Sequence, residues 1–103
     1  MKKLKIPNSN IFGLNVKYTK GPLRDRGLDG YFDPVACEIR VDETLKGDHL
    51  QQTILHEEFE AVFHRIGGDQ FKMSNDAKEI MIDGFATFLV ENYNLKRKKR
   101  DRR

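Results

Sequence analysis

Two different periodicities divide the chain. Between Ile11 and Lys20 apolar residues fall on alternate positions, with Phe12, Leu14, Val16 and Tyr18 on one side. That is the period of a half-buried strand, and Gly21-Pro22 closes it with a turn signal. The charged stretch Leu23–Leu28 reads as a loop. Gly30–Asp33 and Ala36–Asp42 read as two more strands joined by a turn at Pro34-Val35. In the second of these, Cys37, Ile39 and Val41 alternate with Glu38 and Arg40. Gly47-Asp48 then breaks the chain, and the period changes. From about Asp48 to Ile66, the residues Ile54, Leu55, Phe59, Val62, Phe63 and Ile66 keep helical spacing. Gly67-Gly68 is the stop. Ser74-Asn75-Asp76 supplies caps for a second helix, whose apolar positions are Ala77, Ile80, Met81, Gly84, Phe85, Phe88 and Leu89. It is expected to end near Asn94. Phe59, Phe63, Phe85 and Phe88 stand at helical spacing and are expected in the core.

Strands followed by two helices predict a small α+β domain. The expected architecture is an antiparallel sheet of three to four short strands packed on a helical pair. The 103 residues hold one such domain, assigned to 1–95, with no internal repeat. Residues 96–103 form a basic tail with nothing to bury, expected to be disordered.

Composition adds constraints. Charged residues make up 34% of the chain and apolar ones 38%, so the core is modest. No run of eighteen apolar residues exists, which argues against a membrane span. MKKLKIPNSN has lysines with no apolar stretch behind them, unlike a secretory signal. Cys37 is the only cysteine, so neither an internal disulfide nor a cysteine-rich metal cluster can form. A cytoplasmic home is the expectation. Cys37 reads as a half-buried strand residue rather than a nucleophile.

The net charge of +3 is unevenly spread. Residues 1–41 carry +4, residues 42–95 carry −7, and residues 96–103 carry +6. The middle is therefore an acidic body. In the tail, Lys96, Arg97, Lys98, Lys99 and Arg100 are candidates for contact with nucleic acid or an acidic partner through counterion release. No aromatic is interleaved there to stack on bases. The plainer reading is a solubilising end.

On a helical wheel His56, Glu57, Glu60 and His64 fall together, opposite the apolar arc. His56 and Glu60 are one turn apart and can converge on one ion. A helical zinc site of the peptidase kind needs two ligands at i and i+4, a carboxylate beside the first, and a third ligand from another element. His56 and Glu60 fit the pair, and Glu57 fits the general base.

The run Leu55-His56-Glu57-Glu58-Phe59-Glu60-Ala61-Val62-Phe63-His64 resembles the active-site helix of small phage-encoded zincin-like metallopeptidases of the ImmA/IrrE type. Glu79-Ile80-Met81-Ile82-Asp83-Gly84-Phe85-Ala86 resembles the downstream helix of that family. Ile39 and Val41, leading into Asp42-Glu43, resemble its edge strand. The likeness covers roughly residues 30–95. It implies a zincin-like fold, Glu79 as the third ligand, and zinc or another divalent ion as cofactor. It also implies a phage protein working in a bacterial host. The sequence departs from the family at Glu60, where the second histidine of HExxH belongs. A His/Glu/Glu set is harder and more anionic, and tolerates manganese or iron better.

Each signal has a plainer alternative. His56 and Glu57 can be a solvated helix face, and Glu60 a lost ligand. His64 reads as a surface histidine, being two turns from His56, or as an alternative ligand. Asp83 is either a partner for a ligand or an exposed carboxylate. Glu57, Glu58, Glu60, Glu79 and Asp83 can also form an acidic interaction face without metal. Two functions follow. In the favoured one the chain keeps the scaffold and binds a host or phage macromolecule, as a regulator or inhibitor. In the alternative it is an active peptidase, with His56, Glu60 and Glu79 as ligands and Glu57 as base.

Overall fold

The computed structural model describes residues 2–97, apart from the Asp69 side chain. Five strands precede two helices: β1 (Lys2–Lys3), β2 (Ser9–Ile11), β3 (Leu14–Gly21), β4 (Gly30–Asp33), β5 (Glu38–Asp42), α1 (Gly47–Arg65) and α2 (Asn75–Asn92). The fold class is α+β, as the order of periodicities predicts. No described helix is long and apolar enough to cross a membrane.

The expected strand Ile11–Lys20 is a hairpin at its start. Phe12 and Gly13 both have positive φ, and Ile11 pairs with Leu14 across them. Two residues in the left-handed region make the tight turn whose twist matches antiparallel strands. The reversal takes Phe12 off the apolar face, where alternation put it, and leaves it 65% exposed. Val16 and Tyr18 keep their inward positions and are fully buried. Cys37 also has positive φ and lies in the turn before β5, not in the strand.

The sheet is mixed, not antiparallel. Its order is β1-β3-β5-β4, with β2 added along β3. β4 and β5 form the expected antiparallel hairpin, but β5 inserts beside β3 and runs parallel to it. The connection after β3 carries the chain past that position, so β4 becomes the edge. Asp42 pins this connection. Its buried carboxylate accepts hydrogen bonds from the backbone N–H groups of Leu23, Arg24 and Thr44 and from the Thr44 hydroxyl. These donors hold its pKa well below the usual carboxylate range. Alternation along a single strand reports its faces, not its neighbours, so the parallel pairing was invisible in the pattern.

One face of the sheet packs on α1. Val16, Tyr18, Ile39 and Val41 meet Ile54 and Ala61 in the main core. Close approach of α1 to β4 depends on Gly30. A Cβ there would stand 2.9 Å from both the Arg40 carbonyl and the Thr53 methyl. α1 ends where expected: Gly67 takes positive φ, and Gly68 leaves room for the Phe63 ring. α2 begins at the Ser74 cap, whose hydroxyl accepts from the Ala77 N–H. Its packing among the described elements is chiefly against α1. Phe85 and Phe88 were expected in the core, but are 55% and 53% exposed. A helix packed mainly on one partner buries one face, here through Ile82 and Ala86; Met81, Leu89 and Val90 are half-buried at its margins, and Ile80, Phe85 and Phe88 are exposed.

Candidate metal centre

α1 and α2 meet face to face at a pair of one-turn steps. His56 and Glu60 lie one turn apart on α1, and Glu79 and Asp83 one turn apart on α2. Helical periodicity alone aims each pair the same way. His56 Nε2 stands 3.1 Å from Glu79 Oε2, and 4.0 Å from both Glu60 Oε1 and Glu57 Oε2. The other ring nitrogen, Nδ1, is 2.6 Å from Asp83 Oδ1. A ring with its single hydrogen on Nδ1, donated to Asp83, would turn the Nε2 lone pair toward the other carboxylates. A metal-binding histidine is commonly oriented this way.

The ligand atoms of His56, Glu60 and Glu79 all lie within 4.8 Å of one another. Ligands of one zinc ion stand roughly 3.4 Å apart, so small side-chain rotations close the set. A second observation bears on whether the group could hold a cation. Glu60 Oε1 is buried and has no hydrogen-bond partner among the described residues. A buried carboxylate oxygen left unpaired is costly and calls for an explanation. Glu60 Oε2, in contrast, is 3.2 Å from Lys78 Nζ.

Electrostatics agree with the geometry. Glu57 is only 8% exposed. Burial pushes its pKa up to about 7, with the charges of Glu60 and Glu79 adding to the effect. His56 and the backbone N–H of Phe32 oppose the shift. The Glu79 carboxyl is also raised, by desolvation first and then by its contact with Glu60. Four carboxylates thus surround one imidazole, three of them on its Nε2 side, where a cation would offset their charge.

The cluster opens on a groove. A cleft of about 440 Å³ is lined by His56, Glu57, Glu60, Lys78 and Glu79 on one side and by Tyr31 and Phe32 on the other. A smaller cleft of about 240 Å³, bordered by Asp29, His49 and Asp83, shares Gly30, His56 and Glu57 with it. Both are bordered by His56 and by residues at β4, the outermost strand of the sheet among the described residues.

Not every candidate joins the cluster. His64 lines the larger cleft but its ring faces Phe32, with 6.0 Å between centroids, and it is not among the converging ligands. Two turns of helix carry it away from His56. Glu58 leaves the proposed acidic face altogether. It lies over the sheet, where it accepts hydrogen bonds from Tyr18 and from both terminal nitrogens of Arg97. Glu57 and Glu58 are adjacent, so the helix turns them about 100° apart. Arg97, expected to be free in the tail, is half-buried with its guanidinium on Glu58 and over the Tyr18 ring. Lys96 is exposed. Lys98, Lys99 and Arg100 lie outside the described residues.

Two residues of the site escaped the sequence reading. Lys78 is the one cation of α2 and precedes Glu79, which is the signal that could have found it. His49 lies seven residues before His56, on the same stripe, and its Nε2 is 3.0 Å from Asp29 Oδ2. No family model, curated protein or solved structure matches the chain.

Proposed function

We propose that this protein is a divalent-metal-dependent hydrolase of peptide or amide bonds, built on a zincin-like scaffold of the ImmA/IrrE type. The observation that carries the reading is the convergence of His56, Glu60 and Glu79 around a buried carboxylate oxygen that has no hydrogen-bond partner among the described residues. These three residues would hold the ion, and Asp83 would keep the His56 ring in the ligating tautomer. A bound zinc ion supplies Lewis acidity toward a carbonyl oxygen and acidifies water.

The chain's own residues do the rest. Glu57 borders both clefts and has a pKa near neutrality in the metal-free protein. It is suited to take a proton from water and return it to the leaving amine. The Phe32 N–H fixes its carboxylate from the sheet edge. Among the described residues no further strand pairs with the outer edge of β4 beside the groove, where an extended peptide could add.

One observation favours a second reading, in which the protein binds a macromolecule without cleaving it. Ile80, Phe85 and Phe88 leave α2 with an apolar outer surface, and Ile80 is 74% exposed. Exposed apolar patches of this kind often mark protein contacts.

Incubating the zinc-loaded protein with a library of internally quenched peptides separates the two. Hydrolysis should be detected, and Glu57→Gln should reduce it on the order of 10²-fold or more while zinc stays bound. A zinc-loaded wild-type protein that cleaves nothing in the library contradicts the hydrolase and leaves the binding reading.

A further inference from the structure

Glu60 differs from a histidine ligand in two ways. It brings a negative charge, and it has two donor oxygens where imidazole offers one nitrogen. The structure divides the labour between these oxygens. Oε2 is 3.2 Å from Lys78 Nζ, while Oε1 is buried, unpartnered among the described residues, and 4.0 Å from His56 Nε2. Lys78 is itself only 19% exposed at its side chain. Its ammonium sits 5.8 Å from the centre of the Phe63 ring and 4.0 Å from Glu79 Oε1. The cation is held in place by an aromatic face and two carboxylates.

We propose that Lys78 is a positioning and selectivity residue of the metal centre: by occupying Glu60 Oε2 it leaves Glu60 a single oxygen to donate. Glu60 then stands in for the histidine of an HExxH site, as a one-atom ligand with part of its charge offset. The inference rests on the metal-binding reading given above. Its consequence concerns which ion is held. Zinc is satisfied by four donors, whereas manganese and calcium favour oxygen-rich sites of higher coordination. A carboxylate free to chelate through both oxygens shifts the balance toward the second group. With Oε2 taken, the balance returns to zinc.

The alternative is that Lys78 merely competes with the ion as a tethered cation. Removing it would then strengthen binding of every divalent ion alike. The preference of zinc over manganese, measured by competition titration with a chromophoric chelator, distinguishes the two. Lys78→Met keeps the length and the packing on Phe63 but loses the charge. It should lower the zinc-over-manganese preference by about tenfold, the scale at which residues behind metal ligands act. The visible bands of the cobalt-substituted protein should weaken as coordination rises. Lys78→Arg should restore most of the preference. In a Glu60→His background, Lys78→Met should leave the preference unchanged, because no second oxygen remains to be held.

An unchanged preference in Lys78→Met, or an equal change in both backgrounds, overturns the role of Lys78 while leaving the metal site standing. A wild-type protein that binds neither zinc nor cobalt overturns the metal reading itself, and this inference with it.

Discussion

Glu57 shows how much a single side chain depends on the fold around it. In the sequence it is a carboxylate on a polar helix face. In the structure it lies against the edge strand, and burial carries its pKa from the ordinary 4.5 to about 7. A carboxyl raised in the folded state binds more protons folded than unfolded between those values. Stability of the metal-free protein should therefore fall as pH rises across that window, by roughly 1–3 kcal/mol. Urea unfolding at intervals from pH 4.5 to 7 should show the slope, and Glu57→Gln should remove most of it. An unchanged slope in the variant would place the burden elsewhere. Asp42 works in the opposite direction. Its depressed pKa contributes stability at neutral pH that is lost as pH falls below the usual carboxylate range. His56 and Glu60 could be picked out beforehand because ligand chemistry restricts residue types and a helix fixes their spacing. Glu79, on the other helix, was implied only by the resemblance to a zincin helix, and the fold brings it to the other two. Lys78 could not be picked out so easily, since an isolated lysine on a helix is ordinary until its neighbours are known.

At the scale of elements, both helices were readable from their apolar spacing, α1 with its glycine stop and α2 with its Ser74 cap, and β5 from its alternation. The errors have a common cause. Apolar spacing tells which residues share a face, but not whether that face is covered. Phe85 and Phe88 share α2 with Ile82 and Ala86, yet only the latter two meet α1 closely enough to be buried. Phe12 kept its alternation with Leu14 and lost its face to a turn. Two glycines make the contact surfaces testable. Gly30→Ala forces a Cβ against a backbone carbonyl and a methyl group at 2.9 Å, and should destabilise by roughly 1–3 kcal/mol. Gly84 lies within α2 with nothing inside 4 Å of an added Cβ. Gly84→Ala should stabilise by about 0.5–1 kcal/mol, as expected where a helical glycine gains a methyl in open space. Thermal unfolding of both variants checks the pair. Equal effects of the same sign would mean that α1 and β4 are not in the close contact described.

Across the whole molecule, the arrangement of layers follows from the order of periods, while the sheet topology does not. The parallel pairing of β3 with β5 is decided by the Asp42-pinned connection, whose hydrogen bonds join residues about twenty positions apart. Arg97 makes a similar long-range link, bringing the end of the described chain back to Glu58 and Tyr18. Composition alone assigned that arginine to a tail. What the topology achieves is to set the edge strand β4, the proposed base Glu57 and the two helix faces that carry the proposed ligands around one groove. The central claim is that this groove is organised by a metal ion. Zinc stoichiometry measured by elemental analysis, on wild type and on His56→Ala, tests it most directly. The account predicts about one zinc per wild-type chain and a loss of zinc in His56→Ala with the fold retained by circular dichroism. A wild-type protein free of zinc after equilibration, or His56→Ala holding zinc as tightly as wild type, would contradict it.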